Sequence, residues 1–205
     1  MKRNPYPGKF IVFEGLDGSG KTTQANFLRI FLKRKGCRIV LTKEPTQDSV
    51  VGRKIRKVLD GKLEIRPNIL QQLFAKDRRE HLENVIIPAL KAGEVVISDR
   101  YYFSSFAFGV SSGVDLEWLI QINDEFLLPD LTLILKVFPA ICLKRIEKRG
   151  DPKTLFEEEK KLRKIWQTYQ ILPKRFANVH IIGGEKPIKQ VFSKIKALLH
   201  SQVYS

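Results

Sequence analysis

The sequence predicts a three-layer α/β fold, in which a five-stranded parallel sheet carries helices on both of its faces. One observation predicts this class, and a second predicts the number of domains. Short apolar segments alternate along the chain with segments whose apolar residues recur at three- and four-residue intervals, which is the pattern of strands joined by crossover helices. The chain has 205 residues and shows neither an internal repeat nor a linker, so we expect one domain spanning residues 1–205.

The strands of the predicted sheet are short apolar runs, each separated from the next by a helical pattern. Because each strand is followed by a crossover helix, the strands should be parallel and the sheet should be buried on both faces. The predicted strands are residues 10–13, 38–42, 95–98, 131–137 and 179–182.

The segments between these strands have the apolar spacing of helices. Ala25, Leu28 and Leu32 mark the first helix, which Gly36 should end, and Gly93 and Gly150 should end two others. The predicted helices are residues 23–35, a segment around 55–59, a segment that opens at Pro67, and residues 83–92, 115–126, 140–150, 162–172 and 188–199.

A complete G-x-x-x-x-G-K-[ST] loop occupies residues 15–22, between the first strand and the first helix. Its glycines allow backbone N–H groups to turn towards phosphate oxygens, and the following helix adds the positive end of its dipole. In this motif Lys21 reaches the β- and γ-phosphates and the Thr22 hydroxyl binds Mg²⁺. A chance glycine-rich turn is the alternative, which the strand–loop–helix context disfavours. The predicted triphosphate-binding residues are Gly15, Leu16, Asp17, Gly18, Ser19, Gly20, Lys21, Thr22 and Thr23.

Two further polar clusters follow predicted strands, where open parallel sheets bind their ligands. Residues 42–45 come after the second strand, and Asp99 and Arg100 come after the third. A carboxylate at a strand end beside a phosphate loop can serve Mg²⁺, so Asp99 joins Thr22 as a candidate metal ligand. The adjacent Arg100 can bridge phosphates through its planar fork. A surface ion pair between the two is the alternative.

The net charge of +15 has two interpretations, a nucleic-acid surface or a solvated surface with a site for a polyanionic substrate. The basic residues are spread along helical segments, and no nucleic-acid module is recognisable, which argues against nucleic acid as the main partner. Cys37 and Cys142 suit a reduced compartment. Residues 1–5 lack the apolar core of a signal peptide, and no apolar run has membrane-spanning length. These features predict a cytoplasmic protein.

The three histidines give no sign of a zinc site, because none has a second Cys or His at ligand spacing. His81, His180 and His200 are isolated in the sequence, and we expect them to be superficial.

Several motifs, in order and spacing, resemble the thymidylate kinase family, which transfers the γ-phosphoryl group of ATP to dTMP. Beside the loop, residues 42–45 look like the family's T-R-E-P and residues 73–78 look like its L-F-A-x-D-R. Residues 99–108 look like D-R-Y-x-x-S-S-x-A-Y, and residues 129–132 match P-D-L-T. The resemblance covers essentially the whole chain, and this combination is far more specific than the phosphate loop alone.

The resemblance implies an acceptor site for dTMP. Phe74 would stack on the pyrimidine and Arg78 would donate to a base carbonyl, both from one helix face at i and i+4. From the residues alone, a core phenylalanine and a solvated arginine are the alternatives. Ser105 would approach the base and Phe108 would pack against the sugar. The implied dTMP-binding residues are Asp17, Lys43, Phe74, Arg78, Arg100, Ser104, Ser105 and Phe108.

Phosphoryl transfer asks for positioning and charge neutralisation, with no protein nucleophile or base. Residues 150–155, between two helices, are the expected lid that excludes water. Arg145 and Arg149 lie at i and i+4 on the helix that leads into it and would bind ATP, and Lys153 lies inside it; a solvated basic helix end is the alternative. The implied catalytic residues are Lys21, Arg100, Asp17 and Arg149.

The sequence departs from the family pattern at several positions. Lys43 stands where an arginine is usual, Gly109 where many bacterial members have glutamine, and Lys136 where an acid is usual. The lid lacks the usual arginine directly before residues 156–157. The resemblance still implies a monophosphate kinase with ATP and dTMP as partners, Mg²⁺ as cofactor and a homodimeric state. A kinase for another nucleotide or a nucleoside, and a P-loop regulatory or nucleic-acid-binding ATPase, are the alternatives.

Overall fold

The computed structural model of the protein describes residues 1–150 and 158–203, without the side chains of residues 149, 202 and 203. The strands are β1 (Lys2–Arg3), β2 (Lys9–Gly15), β3 (Ile39–Lys43), β4 (Val95–Asp99), β5 (Leu127–Leu128), β6 (Leu131–Lys136) and β7 (Val179–Gly183). The helices are α1 (Lys21–Arg34), α2 (Val50–Leu59), α3 (Pro67–His81), α4 (Ile87–Lys91), α5 (Tyr102–Ser111), α6 (Leu116–Gln121), α7 (Pro139–Arg149), α8 (Glu159–Arg175) and α9 (Ile188–Val203), with a π-helical turn at Leu82–Ile86.

Five strands form one parallel sheet in the order β3-β4-β2-β6-β7, which confirms the predicted fold class. β2 lies at the centre, where Val12 is in register with Ser98 of β4 and with Thr132 of β6. Because every strand runs in the same direction, all five carboxyl ends meet at one edge of the sheet. The phosphate loop and the polar residues that follow β3 and β4 are therefore brought together at that edge.

The sheet is buried on both faces because consecutive residues of a strand point to opposite sides. Phe10 and Val12 pack into the cluster that contains residues of α5 and α8, including Phe103 and Ile165. Ile11 and Phe13 pack into a second cluster with residues of α1 and α9, including Leu28 and Ile195. Because helices cover both faces of the sheet, the side chains on both sides of each central strand are buried. The strand sequence is therefore apolar almost throughout and does not alternate between apolar and polar residues.

The two helices that the sequence predicts from Pro67 and over residues 83–92 are one continuous helical run from 67 to 91. The run contains a π-helical turn at Leu82–Ile86, just before Pro88. Proline has no N–H to donate and its ring crowds the carbonyl one turn earlier, so a wider turn at this place accommodates it.

Two other expectations need correction. The helix predicted over 115–126 ends at Gln121, and β5 pairs with β1 in a separate two-stranded parallel sheet. The sequence pattern also predicts no helix over the segment that forms α5. That helix is apolar on most sides, with Tyr102, Phe103 and Phe106 all buried, so it lacks the polar face that produces a periodic signal. Within the described ranges, no helix is long and apolar enough to cross a membrane.

Candidate active site

A cleft of about 870 Å³ lies over the carboxyl ends of the parallel strands, and residues from all five strand ends or the loops after them line it. It contains nearly every site residue that the sequence predicts. The predicted residues that line it are Asp17, Gly18, Ser19, Gly20, Lys21, Thr22, Thr23, Lys43, Phe74, Arg78, Asp99, Arg100, Ser104, Ser105, Phe108 and Arg145. Gly15 and Leu16 of the loop do not line the cleft; both are buried, Leu16 fully.

The phosphate loop owes its shape to glycines whose backbone other residues rarely adopt. Gly18 and Gly20 have φ angles of 79° and 95°, and Gly20 directly precedes the first residue of α1. A Cβ atom on Gly18 would come within 2.5 Å of the Cys142 carbonyl oxygen. The loop therefore lies against α7 as well as at the start of α1, so the N-terminus of that helix borders the cleft.

The side chain of Lys21 folds back over the earlier residues of its own loop. Its Nζ donates to the Leu16 carbonyl oxygen at 2.9 Å and lies 3.9 Å from Asp17 Oδ1. Only 6% of the side chain is exposed, and burial, followed by the positive charge of Arg100, lowers the pKa of Lys21. An anion in the cleft would oppose both effects, because a nearby negative charge favours the positively charged form of Lys21.

Thr22 and Asp99 face each other across the start of α1. The Thr22 hydroxyl donates to Asp99 Oδ2 at 2.5 Å, and both residues line the cleft. The described residues contain no group of three or more His, Cys, Asp and Glu side chains that could hold a metal ion by themselves. These two oxygens can therefore hold a cation only together with ligands from a bound phosphate or water.

Arg100 lines the cleft, and its backbone has a left-handed conformation with a φ angle of 76°. Its Nη2 donates to Asp17 Oδ1 at 2.6 Å, and its Nη1 donates to Ser104 Oγ at 2.8 Å and to the Gly15 carbonyl oxygen at 3.3 Å. The guanidinium also lies 4.8 Å from the centre of the Phe108 ring. Burial opposes the charge, but Asp17, Tyr169, Glu14 and Asp99 together outweigh it, so the pKa of Arg100 is raised.

Glu14 was not among the predicted site residues, yet it organises the segment after β4. It has no exposed surface and accepts hydrogen bonds from Tyr101 N at 2.9 Å, Ser104 N at 3.1 Å, Ser104 Oγ at 2.5 Å and Tyr169 Oη at 2.9 Å. Burial raises the pKa of Glu14 despite the opposing effect of Arg100. The available signal was an acid at the end of an otherwise apolar central strand.

At the other end of the cleft Arg78 is buried, so the alternative of a solvated charge is wrong. Its Nε donates to Glu44 Oε2 at 2.9 Å, its Nη1 to Asn123 Oδ1 at 2.5 Å and its Nη2 to Ser105 Oγ at 3.2 Å. Phe74, one turn earlier on α3, is half-buried and lines the same cleft. Glu44 and Asn123 were not recognisable as partners of Arg78, because they lie 34 and 45 residues away from it along the chain.

His81 is also buried, which overturns its expected place at the surface. Its Nε2 lies 2.6 Å from Thr42 Oγ1 and its Nδ1 lies 3.2 Å from Glu44 Oε1. His81 follows Arg78 by three residues on α3, so both side chains face the segment that follows β3. His180 is half-buried and His200 is exposed.

Arg145 lies against the phosphate loop, because its Nη1 donates to the Gly18 carbonyl oxygen at 3.2 Å. The side chain of Arg149 and the predicted lid residues 151–155, including Lys153, lie outside the described residues. The cleft has further basic lining residues that the sequence analysis did not select, Arg56, Lys62 and Lys186.

Comparison with known proteins agrees with this geometry. A family model described as thymidylate kinase matches residues 13–195. The chain is 42% identical to a probable thymidylate kinase of Pyrococcus horikoshii over 96% of its own length and 98% of that relative. It is 39% identical to a thymidylate kinase of Caldicellulosiruptor saccharolyticus, with 94% and 96% of the two chains covered. A probable thymidylate kinase of Archaeoglobus fulgidus is 35% identical, with 93% and 94% covered.

Proposed function

The chain belongs to the thymidylate kinase family, and on that premise we propose that it transfers the γ-phosphoryl group of ATP to dTMP, giving dTDP and ADP. The observation that carries this proposal is one continuous cleft with two unlike ends. The phosphate loop and three cations, Lys21, Arg100 and Arg145, line one end, and Phe74 with the buried Arg78 lines the other. A phosphoryl donor and a base-bearing acceptor need such a pair of ends facing one another.

At the donor end, the loop N–H groups and Lys21 hold the phosphates of ATP, and Arg145 adds charge beside Gly18. The Mg²⁺ that accompanies ATP fits Thr22 and Asp99, whose hydroxyl and carboxylate are hard oxygen ligands. Bound there, Mg²⁺ would neutralise phosphate charge, and oxygens of phosphate and water would complete its ligand set.

Between the ends, Arg100 bridges the donor and acceptor phosphates. Asp17 and Ser104 fix its guanidinium at 2.6 and 2.8 Å, and Glu14 fixes the backbone on which both Tyr101 and Ser104 sit. Catalysis of this kind consists of positioning and of stabilising charge on the transferring group. The acceptor is already an anion, so no side chain has to remove a proton from it.

At the acceptor end, Phe74 stacks on the pyrimidine, Arg78 donates to the 4-carbonyl of thymine, and Lys43 holds the acceptor phosphate as a point charge. Ser105 approaches the base and Phe108 packs against the sugar. Cytosine carries a 4-amino donor in place of the carbonyl, so two donors would face each other and remain unpaired, at a cost of about 1–3 kcal/mol. This difference supports dTMP over dCMP.

A lid at about residues 150–155 closes over the phosphates, and Arg149 at the end of α7 approaches them as it closes. Arg149→Ala should then lower kcat far more than it raises either KM, because its contact strengthens only in the closed state. Side-by-side kinetics of Arg145→Ala, Arg149→Ala and Lys153→Ala check this. Wild-type kcat in all three variants would leave Arg100, Lys21 and Mg²⁺ as the source of catalytic charge.

We also propose a cytoplasmic location, supported by the two free cysteines, and a homodimer with one domain per chain, supported by the family's commonly dimeric state. The molar mass in solution by light scattering checks the dimer; a monomer at assay concentration would contradict it.

A coupled ADP-release assay across nucleoside monophosphates tests the proposed reaction. We expect dTMP to outcompete dCMP, dGMP and AMP, and equal or better turnover of a purine monophosphate would refute thymidylate kinase activity. The same assay without acceptor and with added DNA or RNA tests the ATPase alternative, which requires nucleic-acid-stimulated hydrolysis with a steep salt dependence.

A further inference from the structure

Gln71 lies on α3 at the base end of the cleft, in line with two predicted acceptor-binding residues. Gln71, Phe74 and Arg78 stand at i, i+3 and i+7, so their side chains share one face of the helix. All three line the cleft. Gln71 is only 1% exposed, and its carboxamide oxygen has no hydrogen-bond partner among the described residues. A buried amide oxygen of this kind is costly unless something pairs with it.

The surroundings of Gln71 locate its amide between α3 and α5. A Cβ atom placed on Gly109 of α5 would come within 3.3 Å of Gln71 Cδ, and within 2.8 and 3.0 Å of the Leu119 methyl groups. The Gln71 amide thus packs close to Gly109, where a Cβ atom would crowd it and would clash with Leu119. Gly109 is one helical turn beyond Ser105, whose Oγ accepts from Arg78 Nη2, so the amide lies beside the Arg78–Ser105 contact.

At the base end of the cleft, Arg78 supplies only hydrogen-bond donors, whereas a pyrimidine base needs an acceptor as well. A guanidinium donates only, so Arg78 can meet a base carbonyl but cannot meet a base N–H. A thymine ring presents both on one edge, the 4-carbonyl and the N3–H beside it. Arg78 donates to the 4-carbonyl, and the N3–H therefore needs a hydrogen-bond acceptor close to Arg78. Gln71 supplies a neutral one, which adds no charge beside the ion pair that Arg78 already forms with Glu44 at 2.9 Å.

We propose that the carboxamide oxygen of Gln71 accepts a hydrogen bond from the N3–H of the acceptor's pyrimidine base. This inference rests on the proposed function, because it assigns a further base-reading residue to the same acceptor site. Gln71 and Arg78 together then form an acceptor–donor pair that matches the adjacent N3–H and 4-carbonyl of thymine.

Gln71→Met tests the hydrogen bond at nearly constant side-chain volume. The KM for dTMP should rise about tenfold, as for the loss of one hydrogen bond, while the KM for ATP and the midpoint of thermal unfolding stay near their wild-type values. Gln72→Met is the matched control, since it makes the same change on the next residue, which is exposed. An unchanged KM for dTMP in Gln71→Met, or an equal rise in Gln72→Met, would overturn the proposal.

A second measurement reports the position of Gln71 against the base. In N3-methyl-dTMP a methyl group takes the place of the proton, so it should clash with the Gln71 oxygen and be a poor acceptor for the wild type. Gln71→Ala removes the oxygen and opens room, and it should bind N3-methyl-dTMP more tightly than the wild type does, while binding dTMP less tightly. A variant that binds the methylated analogue no better than the wild type overturns the assignment. Failure of the wild type to phosphorylate dTMP would instead overturn the proposed function.

Discussion

At the phosphate end of the cleft, Lys21 and Thr22 are the last two residues of the phosphate loop itself, whereas at the base end Arg78 is held by residues from three other segments. Glu44 comes from the end of β3, Ser105 from α5 and Asn123 from the turn after α6. The first site is assembled mainly by local backbone geometry. The second exists only once α3, α5 and the end of β3 have packed together.

The two ends also balance their charge differently. The Arg78 charge is neutralised within the protein by Glu44, and both side chains are at most 3% exposed. At the phosphate end burial, followed by the charge of Arg100, lowers the pKa of Lys21 against the opposing effect of Asp17, Asp99 and Glu14. A polyanion bound there would favour the charged form of Lys21. A neutral base adds no charge, so the end that receives it must form its own ion pair and recognise the base by the direction of its hydrogen bonds.

The largest effect should come from the phosphate end and should appear in rate rather than stability. Lys21→Ala and Arg100→Ala should each lower kcat on the order of 10³-fold or more, because each removes charge next to the transferring group. Both should keep a thermal midpoint near that of the wild type. Steady-state ADP release and thermal unfolding check this, with Lys33→Ala on the exposed side of α1 as the control. Near-normal turnover of either variant would remove its assigned role.

The base end should behave in the opposite way. Arg78→Met should destabilise the fold by about 3–5 kcal/mol, because it leaves the Glu44 carboxylate buried without its partner. Combining it with Glu44→Gln should recover most of the thermal midpoint and still leave dTMP a poor substrate. Arg79→Met is the control, since it breaks an exposed ion pair with Glu125 that is worth about 0–1 kcal/mol. If Arg78→Met unfolds like the wild type, the buried pair does not hold this end together.

Lys43 should show the smallest effect, because it is exposed and stands between the two ends. Lys43→Ala should raise the KM for dTMP about tenfold and leave the KM for ATP unchanged, while Lys43→Arg should be tolerated since it keeps the charge. Substrate titrations of both variants check this, with Lys57→Ala on the exposed face of α2 as the control. A KM for dTMP that does not respond would make Lys43 a surface charge only.

The sequence alone determined whatever depends on near neighbours in the chain. The parallel sheet follows from apolar strands that alternate with helical stripes. The loop at residues 15–22 is recognisable because its backbone conformation needs glycines at particular positions. Asp99 and Arg100 were recognisable because a strand end places the next two residues at the ligand edge of a parallel sheet. In each case the physical cause acts over a few residues, so the pattern is visible before folding.

Tertiary packing decided the rest. Glu14 is marked only as an acid at the end of an apolar strand. Glu44 and Asn123 carry no local mark of their roles, because their partner Arg78 lies far along the chain, and Gln71 carries none because its amide oxygen has no partner among the described residues. α5 gave no periodic signal because neighbouring elements cover it on most sides, and His81 looked superficial because its partners belong to the end of β3. A polar side chain becomes informative only when burial removes water and makes each unpaired hydrogen bond costly, and burial is a property of the folded chain.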